Sequence, residues 1–500
     1  MNSILCSSLI SFQCHQEFER LPDSTDWKRF EKYGKRVRRL RYHAPTAGGL
    51  DQSVFDTVAT TRTRLDILPN MHTLSWHAPL SLSILFMHSG VKKFSVFLPI
   101  ELTTASPRPY FQDLATRMPN LINLDFRSYV PMRDIESEMV ELFEALPRIR
   151  KVTFPRYYLT TKIAEALSKL DQLGVIEFQY LAEQGAGNAE DINPFTPTLE
   201  EGAFPTLWDH SMAVRYDDAA RFLNLPFSPA NLTMLYIDSD IIESPTSIRN
   251  MLSVVAENCQ LLKFIALVSL RNASSSAMIE EEFDPEMSIT IDTIKPALKL
   301  PNLTTLELVH QYPLSFKQSD LELLASSWPS LETLLLNTEP VFLKESNLTL
   351  EALLPFAKHC PQITHLGIFV DATIDELTMP TVQFQSLKRL SMGVSVIDHD
   401  NPVALYLSQI LPLGCKVDCG ITWDEAKEVE HELSHTVQNR CDLWTKVSEL
   451  LPVLTKLRMQ ERERTRLLEK ELDDLRMRTR VINETTALGV TMDISTCVMI

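Results

Sequence analysis

Five hundred residues with 44% hydrophobic and 23% charged content exceed one small core, so the chain must form several cores or repeat one small unit. Only 13 glycines, and no G-x-x-x-x-G-K-S/T, G-x-G-x-x-G or G-x-S-x-G run, argue against collagen, glycine linkers and phosphate-loop enzymes. The balance of 48 Lys+Arg against 65 Asp+Glu, net −17, repels polyanions and argues against general nucleic-acid binding.

In chain order, the start Met1-Asn2-Ser3-Ile4-Leu5-Cys6 lacks a basic region, and Ser7, Ser8 and Ser11 break its apolar stretch, so it does not read as a signal peptide. Eight scattered cysteines form no disulfide framework and read as reduced thiols of cytoplasm or nucleus. Trp27, Phe30, Tyr33 and Val37 recur at near-helical spacing among Lys28, Arg29, Lys32, Lys35 and Arg36. That pattern predicts a capping helix with its apolar face down and a solvated basic face outward. The longest uncharged stretch, Ile67 to Val91, contains Pro69, Asn70 and Pro79, which disfavours a bilayer span.

A hexad, apolar-x-x-apolar-x-apolar, then recurs twelve times, starting at Val37, Met71, Val91, Leu121, Ile149, Leu173, Leu232, Leu262, Leu303, Leu331, Ile363 and Leu387. Its fourth and sixth residues point to one side of a short strand, the third and fifth to the other. Between hexads lie helical stripes such as Ile135, Met139, Leu142, Phe143 and Leu146. One strand and one helix cannot bury their apolar faces alone; stacked, they form a continuous core. The expected fold is therefore an α/β leucine-rich-repeat solenoid, with parallel strands on the concave face, helices on the convex face and a C-terminal helical tail. The 59-residue gap from Leu173 to Leu232 reads as one degenerate unit plus a polar insertion.

Residues 183–202 and 271–287 are polar and acidic and are expected to project as mobile loops. Cys415 to Trp423 alternates apolar and polar residues and reads as a strand closing the sheet edge. Beyond it, Leu468, Leu472, Leu475 and Ile482 keep a 4-3-7 spacing. That is short of a secure coiled coil, so the tail is expected to pack on the solenoid end as part of a monomer. The expected boundaries are 1–23 for an N-terminal segment, 24–423 for the solenoid with its capping helix and closing strand, 424–484 for the helical tail, and 485–500 as disordered.

The solvent-facing third and fifth hexad positions define the candidate partner surface. Arg39, Arg41, Lys93 and Lys151 make its first half basic, while Met234, Tyr236 and Phe264 place large apolar groups near the middle. Such groups anchor protein interfaces. A slip at the Leu262 hexad would instead bury Phe264.

His431-Glu432-Leu433-Ser434-His435 matches H-E-x-x-H, the spacing of a zinc hydrolase. Glu428 and Glu430 flank it and no substrate cleft accompanies it, so a non-catalytic helix is the preferred reading. Neither metal nor cofactor is expected.

The segment Ser24 to Leu40 (STDWKRFEKYGKRVRRL) resembles the one that follows the F-box in fungal, basidiomycete-type F-box proteins with degenerate leucine-rich repeats. The run Cys415 to Ala426 (CKVDCGITWDEA) and the charged tail resemble the C-terminus of the same group. The resemblance implies a substrate-receptor role in a cullin ubiquitin ligase, with repeats that present a partner protein and an F-box that binds a Skp-type adaptor. Too few residues precede Ser24 for a three-helix F-box, so residues 1–23 read as its remnant or as an alternative start. The adaptor is then expected only where an F-box lies upstream. A regulatory scaffold unrelated to ubiquitin is the remaining alternative, and neither nucleic acid nor membrane is expected as a partner.

Overall fold

The computed structural model describes residues 17–43, 50–100, 106–179, 182–270, 284–343, 346–373, 380, 382–421 and 431–496, leaving out the side chains of 182, 431–434 and 485–496. Two compact units organise these residues, one ending at Gln311 and one starting at Tyr312.

The first unit contains strands β1 Arg39–His43, β2 Thr73–His77, β3 Lys93–Leu98, β4 Asn123–Ser128, β5 Lys151–Phe154, β6 Val175–Phe178, β7 Asp209–Met212, β8 Met234–Ser239, β9 Phe264–Ser269 and β10 Thr305–His310. Each pairs in parallel with the next. Consecutive parallel strands require a crossover, and the crossovers carry helices α1 Ser24–Gly34 (preceding β1), α2 Gln52–Thr61, α3 Leu80–Ser83, α4 Arg108–Arg117, α5 Glu136–Glu144, α6 Thr161–Ser168, α7 Tyr216–Leu223, α8 Pro245–Asn258 and α9 Ile291–Ile294. Nine of these strands begin on the third residue of a hexad recognised in the sequence, and β7 on the third residue of a further one.

Most fourth and sixth hexad residues form the core, and the helices cover that side of the sheet. Phe55 of α2 meets Trp76, Phe111 of α4 meets Phe126, and Phe143 of α5 meets Phe154, all edge to face at centroid distances of 6.0, 6.1 and 5.8 Å. Each such side chain fully removed from water contributes about 1.5–3 kcal/mol. Local chemistry sets the helix starts. Before α1 the Asp23 carboxylate accepts from the Thr25 and Asp26 amides at 2.7 and 3.0 Å, while Asp26 accepts from the Asp23 amide at 3.0 Å. At α8 the Ser244 hydroxyl accepts from Ser247 N at 3.1 Å, with Pro245 at the first helical position.

The degenerate unit expected in the 59-residue gap contains β7: its hexad is Leu207-Trp208-Asp209-His210-Ser211-Met212, and a histidine fills the fourth, apolar slot. Two other expectations for this unit need correction. Residues 183–202 do not project. Gln184 is fully buried and donates to Asp125 Oδ1 and Phe126 O at 3.1 and 3.0 Å, and Ile192, Phe195 and Leu199 are buried. Gly185 (φ 85°) lies so close to Ser128 that a Cβ would stand 1.8 Å from its carbonyl oxygen, so only glycine fits. Of the other insertion, 271–283 falls outside the described residues. In turn, α1 lays only part of its apolar face down: Trp27 is buried with its indole N–H 3.3 Å from Thr61 Oγ1, whereas Phe30 and Tyr33 are exposed.

The second unit continues the motif. Strands β11 Thr333–Leu336, β12 His365–Ile368, β13 Arg389–Gly393 and β14 Lys416–Cys419 pair in parallel in that order, with helices α10 Gln318–Ser327, α11 Leu354–His359, α12 Asp400–Ile410 and α13 His431–Thr496. The last three hexads supply β11 to β13, and the expected closing strand is β14. Parallel strands in chain order, each fed by a short hexad and backed by helices, make the fold an α/β leucine-rich-repeat solenoid with a C-terminal helical tail.

The start of α13 packs on α12 and β14. Trp444, Val447 and Leu451 are buried. The Trp444 indole N–H donates to Ser395 O at 2.9 Å, Arg440 to Val394 O at 2.9 Å, and the Cys419 thiol to Cys441 O at 3.5 Å. Packing then stops. Every residue from 461 to 484 is exposed, which corrects the expectation that the whole tail lies on the solenoid. The backbone helix runs on to Thr496, with Pro452 inside it.

Candidate protein-binding face

The sheet face opposite the helices carries the third and fifth hexad residues, and strand register aligns them into two ladders. In the first unit Arg39, Thr73, Lys93, Asn123, Lys151, Val175, Asp209, Met234, Phe264 and Thr305 stand side by side, successive strands lying about 4.8 Å apart. All seven sequence-predicted residues fall on this face. The Leu262 hexad holds its register, with Ile265 and Leu267 in the core and Phe264 half-buried outside it.

The predicted residues do not form one site. Arg39, Arg41 and Lys93 are exposed on β1 and β3, and among the described residues none of them makes an ion pair. Lys151 is held by Glu177 at 2.7 Å. Around it lies a polar network: Ser95 donates to Asp125 at 2.8 Å, Arg127 grips the same carboxylate at 2.9 Å, and Thr153 donates to Glu177 at 3.0 Å. At the edge of this region the His43 and His77 rings stand 4.2 Å apart. Burial, and then the neighbouring His43, press the His77 pKa down to about 4.

On β8 and β9 the face turns apolar. Met234 and Phe264 are register partners, as are Tyr236 and Ala266. The Phe178 ring meets Tyr236 edge to face at 5.4 Å. Sequence reasoning assigned Phe178 to the core as a sixth hexad residue, but it is half-buried. Only Val175 and Ile176 of β6 pair with β7, so the sheet has opened before the strand ends. Acidic groups flank the cluster. Burial, and then Glu177, raise the Asp209 pKa to about 6 against the pull of Lys151, and burial raises that of Glu307. Both carboxyls are thus incompletely solvated and would gain from a cationic neighbour. Asp209 was missed because its strand was missed; the preserved Leu207 to Met212 frame was the available signal.

In the second unit the same face is mostly polar. His365 Nε2 lies 2.8 Å from Ser391 Oγ, and Arg389 pairs with Asp418. Among the described residues no cluster of three or more His, Cys, Asp or Glu side chains is placed to hold a metal; the side chains of His431 and Glu432 fall outside that description. No helix among the described residues is long and apolar enough to cross a membrane.

No family model matches the chain, and no curated protein matches it. Solved structures that resemble it include the LRIM1/APL1C complex (TM-score 0.33, 12% identity, covering 89% of this chain and 72% of that one). Another is the yeast Rad7–Elc1 complex (TM-score 0.33, 13% identity, 69% and 84%). Likeness at this level carries no argument, and the fold rests on the strand order and hexad register above.

Proposed function

We propose that this chain is a non-catalytic receptor that binds another protein on the helix-free, concave face of its sheet. The observation that carries this is the Phe178–Met234–Tyr236–Phe264 cluster on an otherwise polar face. Large apolar groups at the centre of a polar surface mark protein contact sites. Glu177, Asp209 and Glu307 around it favour a partner whose apolar anchor is bordered by lysine or arginine. Arg39, Arg41 and Lys93 form a second contact region for acidic residues of the partner, and Lys151 joins them by exchanging Glu177.

The finer reading follows the sequence resemblance: the chain is the substrate-receptor part of an F-box type cullin ubiquitin ligase of the cytoplasm or nucleus, with a Skp-type adaptor engaged only where an F-box precedes these repeats. Affinity capture from cell extract with wild-type chain and a Met234→Ala/Tyr236→Ala double variant tests the binding face. Truncating two anchors costs about 2 kcal/mol or more, roughly a thirtyfold loss of affinity. Retention of the same proteins at the same yield refutes the proposed face, and failure of a chain extended upstream through an F-box to recover a Skp-type adaptor refutes the ligase reading.

A further inference from the structure

From residue 463 to 484 every residue of α13 is exposed, about 33 Å of helix at 1.5 Å per residue. In folded proteins an amphipathic helix is stabilised chiefly by packing of its apolar face. This one carries such a face. Leu468, Leu472 and Leu475, each about half exposed or more, lie on one stripe at 4-3 spacing, the d-a-d positions of a heptad, and Ile482 continues the spacing. We infer that this stripe is the dimerisation surface of the chain, covered by the same segment of a second copy in a parallel two-stranded coiled coil.

The flanking charges argue for a second copy. With Leu472 at a, Arg464 and Glu471 occupy g, and Glu469 and Arg476 occupy e. In a parallel pair each g residue faces the e residue five positions later on the partner helix. Arg464 therefore meets Glu469 and Glu471 meets Arg476, each contact occurring twice by symmetry, with all four pairs of opposite sign. Among the described residues Arg464, Glu469 and Glu471 make no ion pair within the chain. The ion pairs present, Arg466–Glu463 at 3.9 Å, Arg476–Asp473 at 3.3 Å and Arg478–Asp474 at 2.9 Å, engage the outward b, c and f carboxylates. The stripe shares no residue with the sheet face proposed above, so a dimer carries the receptor face twice, and a partner with two copies of the recognised element gains avidity.

Sedimentation equilibrium of the purified chain through the micromolar range tests this. The expected result is a concentration-dependent rise to twice the 57.0 kDa chain mass. Leu472→Glu/Leu475→Glu, which keeps helix-forming residues, holds the mass at one chain with unchanged helical circular dichroism. Glu471→Arg weakens association at least tenfold, and adding Arg476→Glu restores it. A wild-type chain that stays at single mass, a dimer that survives the Leu472/Leu475 change, or a charge swap that fails to rescue would each overturn the proposal. So would a tail that pairs only with a different protein.

Discussion

Two stretches of the same helix meet opposite fates. Trp444, Val447 and Leu451 recur at 3-4 spacing and are buried against α12 and β14; Leu468, Leu472 and Leu475 recur at 4-3 spacing and stand in solvent. Their local chemistry is alike: helix-forming residues, one apolar stripe, charges on the other faces. What differs is whether the repeats supply a complementary surface within reach. Periodicity thus reports that a face wants covering and is silent on what covers it.

The contrast is open to direct attack. The largest expected effect is at Trp444→Ala, which empties a fully buried indole site and leaves Ser395 O without its donor; a loss of about 3–5 kcal/mol in denaturant unfolding is expected. A loss below about 1 kcal/mol would put the packed stretch on a par with the exposed one.

Strand β7 poses the same question inside the sheet. His210 occupies a leucine slot between Phe204 and Phe222, at ring distances of 6.3 and 5.7 Å, and neither ring nitrogen has a hydrogen-bond partner among the described residues. Burial lowers its pKa to about 3 from an unfolded value near 6.5. Above pH 6.5 both states leave the ring neutral and it adds no pH dependence. As pH falls from 6.5 toward 3, the unfolded chain takes up a proton that the folded chain refuses. Stability then declines by up to about 1.4 kcal/mol per pH unit from this group. His210→Leu is expected to stabilise by about 1–2 kcal/mol at neutral pH and to flatten that acid slope. An unchanged slope would mean that the site admits the charged ring.

The smallest effect is expected at Leu467→Ala. This leucine is exposed and lies off the 468-472-475 stripe, so its removal should alter both unfolding free energy and dimer mass negligibly, within about 0.5 kcal/mol. A clear drop in dimer mass would relocate the seam to another face of α13.

Much of this architecture was readable from residue order. All twelve hexads become strands that start on their third residue, since a four-residue strand flanked by helices needs only alternation to choose its faces. The missed strand failed on one residue, because histidine is counted as polar until three-dimensional packing closes over it. The segment 183–202 was misread for a related reason. Ile192, Phe195 and Leu199 are diluted by acidic neighbours, and the hold of Gln184 on Asp125 and Phe126 O joins residues 58 or 59 positions apart. In the candidate site, Met234, Tyr236 and Phe264 were legible from register, whereas Phe178 and Asp209 became visible only where β6 and β7 part.

The order of amino acids by itself determined the repeat, the core and open faces of each strand, and the helical nature of the tail, because these follow from periods of two and 3.6 residues acting over a few neighbours. Tertiary structure alone decided which charges on the open face are already engaged, that a histidine lies dry among aromatic rings, and where α13 leaves its support. Those outcomes depend on groups tens of residues apart that compete for the same space and the same water, a competition that local periodicity does not encode.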